Sequence, residues 1–188
     1  TGSGALTMAL LRLVGPQGLV VTYDLREDFA KTALTNINRY LGPTPNLVSL
    51  RKSAYEGIDL LEDGVPFDRV VLDLPEPWQV VPHAAKALRS GGIYLSFVPT
   101  VPQVVQTVEA LERATVFGMV ETFESLIRTW SVLGRSVRPD HRMVAHSGFI
   151  TVARKVEPGL LGVRSDSGSV DASFSNSPSD TDTEEATS

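Results

Sequence analysis

The stretch of this sequence best suited to chemistry is Val70-Val71-Leu72-Asp73-Leu74-Pro75-Glu76-Pro77-Trp78. An apolar, Val-rich run delivers an aspartate at its carboxyl end, two prolines stiffen the loop that follows, and an aromatic side chain closes it. A stiff loop lowers the entropy cost of holding a flat ligand. Asp73 can accept a hydrogen bond from an exocyclic amine, and Trp78 can pack on a ring or support the loop. The structural alternative is a capping aspartate, turn prolines and a core tryptophan. A second candidate opens the chain: Thr1-Gly2-Ser3-Gly4 runs straight into a helical pattern. Glycines so spaced let the backbone turn sharply and approach a ligand, though they also suit an ordinary helix start. A third is Asp24, which ends an apolar run about 20 residues after the glycines, where an acid can accept from both hydroxyls of a ribose. It can equally cap the helix that begins near Arg26. Nicotinamide-dependent dehydrogenases share the last two features, so these point to an adenosine-containing ligand before they point to a reaction.

The elements that must position these residues alternate. Helical spacing over Gly4 to Val14 precedes a strand at Leu19 to Tyr23, and a helix from Arg26 to Leu41 precedes a strand at Asn46 to Leu50. A strand at Phe67 to Leu72, a helix at Val80 to Leu88 stopped at Gly91-Gly92, a strand at Ile93 to Val98 and a helix at Pro102 to Arg113 follow. The rhythm then changes to two successive strands, Met119 to Ile127 and Gly148 to Ala153. Alternation predicts an α/β fold with a mostly parallel sheet and right-handed crossovers, and the last two strands predict an antiparallel pair on its edge, the final strand antiparallel. Open sheets of this kind bind ligands at the carboxyl ends of their strands, where Asp24 and Asp73 fall.

Composition excludes several classes. The chain has 188 residues, 42% of them hydrophobic and none of them cysteine. That rules out disulfides, Cys-ligated zinc and a thiol nucleophile, and it fits a reducing, cytoplasmic setting. Three scattered histidines offer no metal site. No apolar run approaches the ~18 residues of a membrane span. The net charge of −5 belongs to the end of the chain, where seven acids and one base follow Val156. Residues 157–188, rich in Ser, Asp and Thr, read as a disordered acidic tail. Residues 1–156 carry 16 bases against 15 acids and form the globular part. Within it, Arg128, Arg135, Arg138 and Arg142, with Trp130, His141 and His146, make a basic segment whose only acid is Asp140. Such a segment grips nucleic-acid phosphate, forms a subunit interface, or is a solvated loop. His83, on a helix, reads as structural.

Taken together, Thr1-Gly2-Ser3-Gly4, Tyr23-Asp24, the loop from Val71 to Trp78, and Arg138-Pro139-Asp140-His141 with His146-Ser147-Gly148-Phe149 resemble the tRNA (adenine-58-N1)-methyltransferases, most of all the bacterial and archaeal enzymes and their actinobacterial branch. The resemblance covers about residues 1 to 156. It implies a class I methyltransferase (Rossmann-like) fold, S-adenosylmethionine as cofactor, the T-loop of tRNA as substrate, and a homotetramer. It implies also that a β-rich N-terminal domain and the first strand of the sheet lie outside this stretch, which by itself is then expected to be unstable or inactive. Carried over, Thr1, Gly2, Ser3 and Gly4 lie against the methionine part of the cofactor, Asp24 holds the ribose, Phe29 lies near the adenosine, and Asp73 sits between cofactor and target adenine as the catalytic residue. Two positions depart from the pattern. Ser53 stands where many members place an acid for the cofactor's adenine amine, and Phe97 stands where some relatives have tyrosine. Within the same family, a non-catalytic RNA-binding subunit would show degraded cofactor motifs, whereas Gly2, Gly4, Asp24 and Asp73 are all present.

Overall fold

The structure, a computed structural model, describes residues 1–60 and 64–157. The predicted acidic tail therefore lies outside the described residues, apart from Glu157. Helix α1 (Ala5–Val14) leads to strand β1 (Val20–Tyr23), and helix α2 (Glu27–Leu41) leads to β2 (Leu47–Leu50). Strand β3 (Phe67–Asp73) is followed by a 3-10 turn at Pro77–Gln79, helix α3 (Val81–Ala87) and strand β4 (Leu88–Val98). Helix α4 (Val101–Arg113), strand β5 (Phe117–Phe123), a hairpin of β6 (Trp130–Leu133) and β7 (Ser136–Pro139), and strand β8 (Phe149–Lys155) complete the described chain.

β1 and β2 pair in parallel, Val20 opposite Leu47 through Tyr23 opposite Leu50. The larger sheet has the order β3-β4-β8-β5. β3 and β4 are parallel, while β8 runs antiparallel to both β4 and β5. The expected antiparallel pair thus stands at the edge of the sheet, with the final strand β8 beside β4 and β5 outermost. Two cores result. Val70, Leu72, Val81, Ala84, Leu88, Tyr94, Leu111, Phe117 and Ala153 fill the space between the four-stranded sheet and helices α3 and α4. Leu11, Val20 and Ile37 form a smaller core where α1 and α2 meet β1. Each fully buried large apolar side chain contributes roughly 1.5–3 kcal/mol, so the first core holds β3 firmly and with it the residue at its end.

The two sheets do not join. Among the described residues, β1 pairs only with β2 and β3 only with β4, and the free edges of β1 and β3 border one cavity of about 450 Å³. Val20 to Tyr23 line one side of it and Arg69 to Leu74 the other, with α1 residues Leu6, Thr7 and Leu10 completing the wall.

Three boundaries differ from the sequence reading, each for a physical reason. Gly91-Gly92 does not stop α3; the chain passes directly from Ala87 into β4. The glycines instead absorb a bulge, since the register jumps from Phe67 opposite Leu88 to Arg69 opposite Ile93. β5 begins earlier than expected because Phe117 is buried against Tyr94, ring centroids 5.9 Å apart. It ends at Phe123 because its partner β8 offers nothing beyond Phe149 for residues 124–127 to pair with. The β6–β7 hairpin, which the sequence reading did not foresee, lies within the basic segment; Gly134 opens its two-residue turn with φ 54°, which a glycine takes without steric cost.

Candidate active site

The glycine loop is held from two sides. The Asn36 side chain, on α2, donates to the Ser3 carbonyl at 2.9 Å, and the Thr1 hydroxyl lies 2.9 Å from that of Thr22 on β1. Gly4, with φ 87°, sits where a Cβ would come within 3.1–3.3 Å of Ala33 on α2, so only glycine lets the two helices approach this closely. Gly2, with φ 55°, has open space where its Cβ would be. That backbone is accessible to a ligand.

Asp24 follows β1 and faces this loop. Its Oδ2 accepts from the Gly2 N–H at 3.3 Å and lies 3.0 Å from the Thr1 nitrogen, and its Oδ1 accepts from the Arg26 N–H at 3.0 Å. The N–H groups of Arg26 and Gly2 both donate to this carboxylate, and such bonds favour its charged form. The bond to Arg26, the N-cap residue of α2, is a local turn and not a cap on the helix's own N–H groups, so Asp24 does not cap α2; its other oxygen ties β1 to the glycine loop.

Asp73 is the last residue of β3 and is exposed at the mouth of the cavity. The loop after it is braced at three successive residues. The Gln103 amide, on α4, donates to the Pro75 carbonyl at 2.9 Å. The Glu76 N–H donates to the Tyr55 hydroxyl at 3.2 Å. The Tyr94 hydroxyl, its ionisation pushed far up by burial, points at the Pro77 carbonyl at a marginal 3.5 Å. His83 lies 3.0 Å from the Tyr55 carbonyl and so pins the brace itself, which is the structural role read from its helical position. Pro77 is buried, and Trp78 only partly so.

Of the residues predicted from sequence, the fold brings Thr1, Gly2, Ser3 and Asp73 to one cavity, with Asp24 hydrogen-bonded to its rim. Gly4 stands behind the loop as a packing residue. Phe29 and Ser53 do not line the cavity. Phe29 is 39% exposed under the Arg26 guanidinium, 3.7 Å from the ring centroid, and the Ser53 hydroxyl accepts from the Tyr55 N–H at 3.3 Å. Four residues went unforeseen. Ala54 and Ile58 supply apolar cavity wall, and Tyr55 and Gln103 supply the braces. Only Gln103 had a sequence signal, as the third residue after Thr100 in a capping-box pattern.

The basic segment surrounds the hairpin. Arg128, Arg135, Arg138 and Arg142 are all exposed, as are Trp130, Val132, Leu133 and Val137. His146 fastens the returning chain to the end of β4, its Nε2 2.8 Å from the Pro99 carbonyl and its Nδ1 3.6 Å from Glu124.

Known proteins are similar to this chain in sequence and in fold. The family described as "tRNA methyltransferase complex GCD14 subunit" matches residues 1–147. A tRNA (adenine(57)-N(1)/adenine(58)-N(1))-methyltransferase TrmI of Methanocaldococcus jannaschii is 37% identical, the match covering 82% of this chain and 62% of that protein. The tRNA (adenine(58)-N(1))-methyltransferase TrmI of Thermus thermophilus is 34% identical, over 82% of this chain and 59% of its own. Among solved structures, a SAM-dependent O-methyltransferase from Thermotoga maritima superposes with a TM-score of 0.76 at 35% identity, covering 83% of this chain and 57% of that one. The tRNA (m1A58) methyltransferase TrmI from Aquifex aeolicus gives 0.72 at 30% identity, over 84% and 60%. The chain thus spans about three fifths of the length of the relatives it matches.

Proposed function

Because the chain belongs to the GCD14 family of tRNA methyltransferase subunits, we propose that it is the catalytic part of a tRNA (adenine-58-N1)-methyltransferase that uses S-adenosylmethionine. One observation carries the reading: Asp73, at the carboxyl end of β3, opens onto the same cavity as the glycine loop Thr1 to Ser3. The residues present fit the cofactor. The Gly2 backbone is open to a ligand, Asp24 offers carboxylate acceptors beside it, and Ala54 and Ile58 supply apolar surface for a flat ring. Phe29 and Ser53 remain candidates for the adenosine end.

S-adenosylmethionine supplies, when bound, an electrophilic methyl group on a positively charged sulfur. The chain's own task is positioning. N1 of adenine already carries an in-plane lone pair, so the rate depends on holding that atom in line with the methyl group. Methylation places positive charge on the adenine ring. Asp73 can accept a hydrogen bond from the N6 amine, stabilise that charge as it grows, and take an N6 proton. An exposed carboxylate is weakly effective in water; the adenine, turned out of the tRNA into the cavity, must exclude solvent to strengthen it. The exposure of Arg128, Arg135, Arg138 and Arg142 supports a role for them in holding tRNA phosphates, with recognition following the shape of the RNA more than its sequence. The exposed apolar side chains of the hairpin support assembly into a homotetramer, since a two-stranded ribbon standing alone is marginally stable. A tRNA substrate fits a cytoplasmic location. Among the described residues no helix is long and apolar enough to cross a membrane.

The test is methyl transfer from labelled S-adenosylmethionine to an unmodified tRNA transcript by the protein at its natural length, with the product nucleoside identified. N1-methyladenosine in the T-loop is expected. Asp73→Ala should lose most of kcat, about a hundredfold, with a smaller effect on cofactor affinity. Wild-type kcat in that variant would remove Asp73 from the mechanism, and absence of transfer to tRNA despite cofactor binding would redirect the search to another substrate.

A further inference from the structure

Gln103 makes one bond that no helix cap requires. Its Oε1 accepts from the Thr100 N–H at 3.1 Å and from the Thr100 hydroxyl at 2.6 Å, which closes the N-terminus of α4. The other end of the same amide leaves the helix and donates to the Pro75 carbonyl at 2.9 Å. Pro75 lies two residues beyond Asp73, in a segment where prolines at 75 and 77 restrict the backbone. A displacement of the Pro75 carbonyl is therefore transmitted along a stiff loop rather than absorbed by it. The amide is half-buried and both of its ends are engaged, so its orientation is set: only oxygen suits the two Thr100 donors, and only nitrogen suits the Pro75 acceptor.

We propose that Gln103 is a positioning residue for methyl transfer, holding the Asp73–Trp78 loop to the start of α4 so that the Asp73 carboxylate keeps its place at the cavity mouth. The assignment rests on the reading of Asp73 given above. It makes α4 and the reactive loop one rigid unit: the helix anchors on Leu111 and Thr107 in the core, and its first turn holds the loop. Tyr55 braces the neighbouring Glu76, so the loop is held at two successive residues by two separate parts of the chain.

Two substitutions separate the two roles of the amide. Gln103→Glu keeps an acceptor for both Thr100 donors but turns an oxygen toward the Pro75 carbonyl, removing the clamp and leaving the cap. Thr100→Ala does the reverse, weakening the cap while leaving the amide donor. At natural length, Gln103→Glu is expected to lower single-turnover methyl transfer about tenfold, a fraction of what a misplacement of 1 Å can cost. Its Tm and its affinity for S-adenosylmethionine stay near wild type, and the KM for tRNA changes less than kcat. Thr100→Ala is expected to lower Tm and leave kcat within about twofold. Hydrogen exchange read without any substrate supplies the independent arm: the amides of Glu76, Trp78 and Gln79 exchange severalfold faster in Gln103→Glu, while those in the body of α4 do not. Faster loop exchange in a protein that methylates no tRNA would sustain the clamp and refute the proposed function. Unchanged loop exchange, or wild-type kcat with a loosened loop, would overturn the positioning role.

Discussion

Alanine at Gly148 would put a methyl group where the Phe97 ring already lies. A Cβ built there falls 2.4 Å from Phe97 Cζ, 2.6 Å from Cε2 and 3.0 Å from the Val98 carbonyl oxygen. Carbon atoms rest at about 3.5–4.0 Å, so the ring must retreat by about 1 Å or more. Phe97 stands opposite Asp73 on one side and Ile150 on the other and is partly buried. Overpacking of this kind costs about 1–3 kcal/mol, and we expect Gly148→Ala to fall in that range by urea unfolding with an unchanged slope. Phe97→Leu removes both offending atoms. In that background the cost of Gly148→Ala should drop by at least about 1 kcal/mol, the coupling energy of residues in direct contact. Equal costs in the two backgrounds would show that the clash is relieved elsewhere, and the inferred close contact of Gly148 with the Phe97 ring would be wrong. Because the retreating ring lies beside Asp73, methyl transfer should fall more than cofactor binding.

Gly4→Ala combines a left-handed backbone with contacts of 3.1–3.3 Å to Ala33, and should cost about 1–3 kcal/mol in urea unfolding; Gly2→Ala, with a positive φ but open space, should cost about 1 kcal/mol. Similar costs at both sites would refute the close approach of α1 and α2. The His146 imidazole is raised above its ordinary value chiefly by its bond to the Pro99 carbonyl, with Glu124 adding to the effect. A raised folded value means that its anchoring contribution is complete below the ordinary pKa of about 6.5 and is lost as pH rises through the folded value. An NMR titration of His146 should therefore give a midpoint above about 6.5, with faster hydrogen exchange around residues 142–147 on the alkaline side; a midpoint at or below the ordinary value would sink the assignment.

Much of this was legible in the order of the residues. Helical and strand periodicities located α1, α2, α4, β1, β2 and β3 to within a residue or two, because each buries one face and repeats apolar residues at the matching spacing. The position of Asp73 at a strand's carboxyl end was legible for the same reason, and so was the glycine loop beside Asp24. Local pattern could not show that Gly91-Gly92 makes a bulge rather than a helix stop, because that depends on what β3 places opposite them. Nor could it place β8 between β4 and β5, since strand order is decided by which edges bury the most surface together. The braces on the Asp73 loop were hidden for a similar reason. Tyr55 and Gln103 lie 21 and 28 residues from the atoms they hold, and their types are unremarkable where they stand. Residue types and spacing determined which groups are capable of chemistry and the elements that carry them; only tertiary packing decided what holds those groups still, because a hydrogen bond between distant segments leaves no periodic trace in either one.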